Sequence, residues 1–321
     1  MQLITCNFQL ETCHFQLATC HFQLATFNLP LSTFNLKLAT CHLQLATLKA
    51  MIGFVIFGIV VAALGLLVLF LVFPAVRRHP DRAMFDGKCI AHRGLHGGAE
   101  NVPENSLQAF EIAAEKGYPI ETDIHVTKDG RVAVFHDDDL KRMCGDERKP
   151  EELTLDELKA MKLAGTEQTI PSLEEVLALV HGRVPLLIEF KCTSLNVTKR
   201  LCEAAAPVLD AYEGKYAVQS FFPFVLRWYK KNRPKVMRGQ LAEGFYKDAF
   251  PRQLAGALLF NALGRPDFVS YDRRNCRNIF FRLCTRLGAM PLGWTFRSKE
   301  ELGKARKYYK GYIFENEETI R

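Results

Sequence analysis

The chain has 321 residues, 48% of them hydrophobic and 24% charged, with a formal charge of +7. That length holds one large domain plus appendages. The excess charge is moderate and spread out, which fits a solvated surface and gives no nucleic-acid footprint; the basic runs Arg227 to Lys235 and Arg297 to Lys310 read as exposed helix faces in preference to contacts with anionic phospholipid headgroups.

Met1 to Lys49 is a seven-residue repeat, MQLITCN, FQLETCH, FQLATCH, FQLATFN, LPLSTFN, LKLATCH and LQLATLK, with Leu third and Thr fifth. Its apolar places are the first, third and sixth, not the a and d of a coiled coil, and charged e/g partners are absent. The regular Thr also weakens helix formation. Residues 1–50 are therefore expected to be low-complexity sequence without a fold of its own, or the product of a start codon assigned too early, since Met51 opens the next segment. Cys6, Cys13, Cys20 and Cys41 alternate with His14, His21 and His42, but they lack the close CxxC pairs of a structural zinc site.

Ile52 to Phe73 carries no charge and is long enough to cross a bilayer, so residues 51–76 are expected to be a transmembrane helix. A buried core helix seldom stays apolar on every face for so long. A signal peptide is disfavoured because neither a basic region directly before a short apolar core nor a small-residue cleavage site is evident. Arg77, Arg78 and Arg82 follow the segment while only Lys37 and Lys49 precede it, which assigns the C-terminal domain to the cytoplasmic side. Residues 77–88 read as a linker to a domain over residues 89–321. Its six cysteines, Cys89, Cys144, Cys192, Cys202, Cys276 and Cys284, have no framework spacing and suit a reducing compartment.

Cys89-Ile90-Ala91 reads as a buried strand ending in His92-Arg93-Gly94. Pro103-Glu104-Asn105-Ser106 then opens an amphipathic helix with Leu107, Phe110, Ile112 and Ala113 facing a core. The strand that begins at Pro119-Ile120 carries Glu121 and Asp123, two residues apart and so on one face. Two carboxylates that close repel unless a cation lies between them, which points to a metal. After Lys128-Asp129-Gly130 the chain returns as Val132 to Phe135, a hairpin ending in His136-Asp137.

The order HRG, PENSLQAF, ETDIH with TKDG, and VFHD resembles the glycerophosphodiester phosphodiesterase family, which shares a barrel ancestor with phosphatidylinositol-specific phospholipase C. The resemblance runs from Cys89 to the C-terminus and is strongest in the first half. It implies a (β/α)8 TIM barrel, here preceded by one transmembrane helix and the low-complexity repeat.

The remaining sequence agrees with that architecture. Thr154 to Met161 and the segment from Pro171 read as capped helices, each with Glu three residues after its Thr or Ser. VPLLIEFK, Val184 to Lys191, is an apolar strand with Glu189 and Lys191 on one face. Taken alone that pair reads as an internal ion pair; the resemblance makes it the ExK of the third barrel strand. Helices at Lys199 to Tyr212, Pro223 to Lys231, Phe250 to Leu263, Ile279 to Leu287 and Lys299 to Tyr309 alternate with strands at Tyr216 to Phe221, Val236 to Leu241, Phe268 to Asp272, Pro291 to Phe296 and Tyr312 to Glu315. This alternation predicts α/β architecture on its own.

Glu121, Asp123 and Glu189 are hard oxygen ligands suited to one Mg2+ or Ca2+ ion. His92 and His136 are the candidate proton-transfer pair, one taking the proton of the attacking hydroxyl and the other protonating the departing alkoxide. Arg93 and Lys191 would hold the phosphate. Gln219 matches the family's QSF stretch, and Trp294 matches a tryptophan lining the glycerol pocket. Glu104 and Asn105 read as helix-start and supporting groups, Asp137 as orienting a neighbour, and His96 as loop surface. The implied reaction releases sn-glycerol 3-phosphate and an alcohol from a small glycerophosphodiester through a cyclic phosphate formed by the glycerol 2-hydroxyl. The alternatives are a lysophospholipase D working on membrane lysophospholipids and a silent barrel that binds headgroups. The chain departs from the family pattern at Arg297 and at Phe314-Glu315-Asn316, on the substrate rim.

Overall fold

A computed structural model describes residues 31–98, 101–244 and 254–320. The first element is one helix, Leu31–Val72. The second part of the repeat is thus helical and continuous with the apolar segment, which corrects the expectation for residues 31–50; the earlier repeat units lie outside the described residues. The stretch 31–52 has neither Gly nor Pro. The hydroxyls of Thr40 and Thr47 donate to the Leu36 and Leu43 carbonyls at 2.7 and 2.8 Å, so these threonines sit in the helix with their polar group satisfied. Leu38–Val72 is the one stretch among the described residues long and apolar enough to cross a membrane.

A compact unit begins at Leu69, well before the expected boundary at residue 89. Ala75 donates its backbone N–H to the Pro266 carbonyl at 2.9 Å, and Arg82 Nη1 donates to the Gly288 carbonyl at 2.7 Å. The 3-10 turn Pro80–Met84 then delivers Met84 and Phe85 into a cluster with Ile90, Leu187, Met237, Phe268 and Met290. The expected linker is therefore largely a part of the barrel body, because those two side chains fill space that the strands leave open.

The strands are β1 Cys89–Ala91, β2 Ile120–Val126, β3 Val132–Val134, β4 Leu186–Phe190, β5 Tyr216–Ser220, β6 Met237–Ala242, β7 Phe268–Asp272, β8 Met290–Phe296 and β9 Gly311–Phe314. All nine form one sheet in the order β1-β9-β8-β7-β6-β5-β4-β2-β3, and a further β1–β2 pairing closes it. The hairpin strand β3 pairs antiparallel with β2; every other pairing is parallel, so eight strands make the closed barrel. Period-two alternation sorts the faces. Ile120, Ile124, Ile188, Phe190 and Val218 pack outward with the helices, while Leu187, Ala217 and Ile313 join the inner cluster.

Local signals explain most boundaries. Thr154 with Glu157, and Ser172 with Glu175, form reciprocal capping boxes, and Ser106 Oγ accepts from Ala109 N at 3.1 Å. The helix expected over Phe250 to Leu263 is interrupted in its described part: Leu258 takes φ +58 and helix resumes only at Asn261–Gly264. Gly94 is obligatory, since it has φ +79 and an added Cβ would meet the Ala109 backbone at 2.8 Å. That contact sets His92 and Arg93 against the next helix.

His125 is buried within β2 with Nε2 3.5 Å from the His136 carbonyl, and burial pushes its imidazole down to about 4. Because the folded value lies below the unfolded one near 6.5, the unfolded chain takes up the proton first as pH falls. Stability is then full above about pH 6.5 and falls through the window down to about 4, by about 3 kcal/mol in total. Denaturant titrations at several pH values should display this slope, and His125→Gln should flatten it; an identical slope in that variant would rule out His125 as its source.

Candidate active site

Parallel pairing of β2 with β4 sets Asp123 beside Glu189, and β4 with β5 sets Glu189 beside Gln219. With Glu121 on the same inner face, three carboxylates converge from two neighbouring strands, Glu121 near the start and Asp123 at the middle of β2 and Glu189 near the end of β4. Their candidate ligand oxygens lie within 4.8 Å of one another, and the three residues are only 2, 1 and 6% exposed. Lys191 bridges two of them, 3.0 Å from Asp123 Oδ1 and 2.8 Å from Glu189 Oε1. Among the described residues Glu121 instead receives amide donors alone, Arg93 N at 3.2 Å and Gln219 Nε2 at 3.3 Å.

The electrostatics follow from this unequal pairing. Burial, reinforced by Asp123 and Glu189, pushes the Glu121 carboxyl well above the usual carboxylate range. Burial also lifts Glu189 against the pull of Lys191. It opposes ionisation of Asp123 too, but Lys191, His136 and Arg93 outweigh it and hold that carboxyl below its ordinary value. Lys191 is desolvated, yet Asp123 and Glu189 keep it firmly charged. A buried carboxylate cluster short of positive charge, made wholly of hard oxygens, fits a divalent Mg2+ or Ca2+ ion.

Above the carboxylates sit the two candidate histidines. His92 follows β1, and its backbone N–H donates to the Phe314 carbonyl at 3.0 Å. Its Nδ1 pairs with Glu315 Oε2 at 3.1 Å, and burial lowers its pKa despite that partner. His136 follows β3 and pairs through Nδ1 with Asp137 Oδ1 at 2.6 Å. Each ring is thus oriented by a carboxylate at Nδ1, leaving Nε2 for the cavity. Arg93, at φ +55, reaches Glu104 Oε1 at 2.7 Å and lies 3.7 Å from Asp123 Oδ2. Asn105 Nδ2 donates to Asp123 Oδ2 at 3.0 Å and receives Thr122 Oγ1 on its own oxygen.

His92, Arg93, Glu121, His136, Glu189, Lys191, Gln219 and Trp294 line one cavity of about 160 Å³. Asp123 lies beneath it. All nine residues singled out from the sequence therefore come together. Gln219 turns its amide onto Glu121 rather than into open space, and Trp294 stacks edge-on against Phe221 with its Nε1 buried and unbonded. His96 is not loop surface: its side chain is 16% exposed, and its Nε2 lies 3.7 Å from Glu315 Oε1.

Two residues escaped the sequence reading. Glu315 was noted only as a departure at the rim, whereas here it is the partner of His92. Its place just past β9, at a strand end, was the available signal. Burial opposes its ionisation, but the bond from His92 and the nearby His96 and Arg297 hold it down at about 2. Arg142, in the short helix Lys141–Cys144, clasps Asp137 at 2.6 Å and also Glu104, tying the supports of His136 and Arg93 together. Nothing in local sequence marks that pairing.

Comparison with known proteins agrees with this geometry. The model of the glycerophosphoryl diester phosphodiesterase family matches residues 92–310. A glycerophosphodiester phosphodiesterase of Caldanaerobacter subterraneus is 30% identical over 248 residues, 72% of this chain and 95% of that protein. A human lysophospholipase D is 32% identical over 148 residues, 42% of this chain and 46% of that one. Among solved structures, a phosphodiesterase of Oleispira antarctica in complex with the product sn-glycerol-3-phosphate superposes with a TM-score of 0.59 at 22% identity, covering 72% of this chain and 93% of its own. A putative glycerophosphoryl diester phosphodiesterase of Silicibacter pomeroyi gives 0.60 at 20% identity over 76 and 94%. The closed barrel, the convergent site and the near-complete match to a relative at this identity lead to one conclusion: the chain belongs to the glycerophosphoryl diester phosphodiesterase family and is an enzyme of that family.

Proposed function

We propose that this chain hydrolyses glycerophosphodiesters to sn-glycerol 3-phosphate and an alcohol, with His92 and His136 moving protons and a divalent cation held by Glu121, Asp123 and Glu189. The observation that carries this reading is that two carboxylate-oriented imidazoles open on one small cavity above three buried carboxylates. When bound, the cation would supply charge neutralisation at a nonbridging phosphate oxygen. Lys191 and Arg93, both already braced by carboxylates, would meet the remaining phosphate charge without having to reorganise. One imidazole takes the proton of the glycerol 2-hydroxyl as that oxygen attacks phosphorus; the other gives a proton to the departing alkoxide. The cyclic phosphate so formed is opened by water with the two roles exchanged. Trp294 Nε1 supplies a donor for a glycerol oxygen, and its ring, packed on Phe221, closes the apolar side.

We also infer that the apolar part of the helix Leu31–Val72, which ends four residues before the expected limit at residue 76, anchors the enzyme in a bilayer with the barrel, over residues 89–321 and the segments packed under it, on the cytoplasmic side. The apolar span and the arginines just after it support this.

Full-length protein incubated with a headgroup panel should release sn-glycerol 3-phosphate, lose the activity in excess EDTA and regain it with Mg2+ or Ca2+. An EDTA-insensitive rate would remove the cation. With His136→Ala a cyclic phosphate should accumulate; direct entry of labelled water without that species would remove the cyclic route. Glu315→Gln should lower kcat by about tenfold to a hundredfold with little change in KM, as expected of a group acting through His92. A loss confined to KM would contradict the positioning role.

A second reading has one observation in its favour. An open cavity of about 800 Å³, lined by Phe221, Phe222, Phe224, Leu241, Ala255 and Phe260, shares Glu189, Lys191, Phe221 and Leu241 with the smaller one. Its size and lining suit an acyl chain whose glycerophosphate reaches the carboxylates, which makes a lysophospholipid a further substrate. Phe224→Asp and Ala255→Trp should each cut kcat/KM for lysophosphatidylcholine by more than about tenfold, the worth of losing a chain's apolar contacts, and leave glycerophosphocholine turnover unchanged. Equal effects on both substrates, or no lysolipid turnover, would rule this out.

A further inference from the structure

We propose that His92, His96 and Glu315 form a second metal site, selective for zinc, and that zinc bound there switches the enzyme off. The three side chains present two imidazole nitrogens and a carboxylate, the donor set zinc prefers and one that hard Mg2+ or Ca2+ has little use for. Spacing agrees with the chemistry. His92 Nδ1 lies 3.1 Å from Glu315 Oε2, His96 Nε2 lies 3.7 Å from Glu315 Oε1, and all three donor atoms are within 4.8 Å of one another. Tetrahedral zinc with bonds of about 2.0–2.1 Å sets neighbouring ligand atoms roughly 3.3 Å apart, so only small side-chain rotations separate this cluster from a coordination shell.

A second, independent observation is His96 Nε2 itself, a buried polar atom with no hydrogen-bond partner among the described residues. Such an atom costs stability unless something occupies it. The loop that carries it is held on both sides: Leu95 N donates to the Ala109 carbonyl at 2.9 Å, and Gly97 and Val102 form a two-way backbone bridge at 2.7 and 3.2 Å. The neighbouring cation is no obstacle. Arg297 stands 3.6 Å from Glu315 Oε2, but its side chain is 63% exposed and can swing into water.

The consequence for catalysis is direct and rests on the proton-transfer role proposed for His92. Zinc binds a bare Nδ1, so the ring's single proton must reside on Nε2, the nitrogen that faces the cavity. Its lone pair there is lost, Glu315 is diverted to the metal, and the ring can no longer cycle a proton.

The test uses full-length protein in saturating Mg2+, with zinc sulfate as the probe. Equilibrium dialysis without substrate should find one zinc per chain that excess Mg2+ does not displace, and glycerophosphocholine hydrolysis should fall in parallel. His96→Gln should keep the zinc-free rate and lose more than about tenfold in zinc affinity and inhibition, since even supporting residues cost a metal site that much. His96→Cys, which restores a zinc ligand, should recover tight binding, and Co2+ bound to it should display the absorption of a tetrahedral thiolate site. Unaltered zinc binding in His96→Gln, or zinc displaced by Mg2+, would assign zinc to the carboxylate cluster and overturn the proposal. The dialysis arm stands whether or not the assigned hydrolysis is correct.

Discussion

The constraint on which the rest depends is the burial of three carboxylates on two adjacent strands. Parallel register leaves no freedom here: once β2 and β4 pair, Asp123 and Glu189 are neighbours, and alternation adds Glu121 to the same face. The mutual repulsion would be prohibitive in an apolar interior without compensating charge. Lys191 answers part of it from the same strand end, Arg93 answers part from the loop after β1, and Asn105 and Gln219 contribute amide donors. The remaining imbalance sits at Glu121. The polar residues of this region are thus consequences of one electrostatic problem, and a divalent cation would be its simplest completion.

The same logic extends outward through paired charges. Glu104 braces Arg93, Arg142 joins Glu104 to Asp137, and Asp137 orients His136. On the other side Glu315 orients His92. These chains hold both imidazoles and both cations in fixed geometry before any substrate arrives, the arrangement that lets charged groups act without reorganising. The larger cavity beside this polar centre, with several aromatic side chains in its lining, shares Glu189, Lys191, Phe221 and Leu241 with it.

Much of this was legible in the sequence because strand alternation and short-range spacing are local. Glu121 with Asp123, Glu189 with Lys191, the Asp129-Gly130 hairpin and the Thr154 and Ser172 caps all rest on neighbours within a few residues. What was not legible rests on long-range closure. His92 meets Glu315 across 223 residues, and only the pairing of β1 with β9 brings them together. Arg142 lies in an excursion between β3 and β4 whose path no periodicity dictates. The segment 77–88 read as a linker, yet Met84 and Phe85 fill the barrel interior, a contact that depends on strands far along the chain. Leu258 broke an apparently helical pattern through a backbone conformation that its residue type does not announce.

Direct titration of the purified chain with Mn2+, followed by the loss of free-ion magnetic resonance signal, tests the carboxylate cluster most plainly. A single binding event per chain that Mg2+ or Ca2+ competes away, and that disappears in Asp123→Asn while the barrel stays folded, is the result this account requires. Undiminished binding in that variant, or no binding to the parent protein at all, would contradict it.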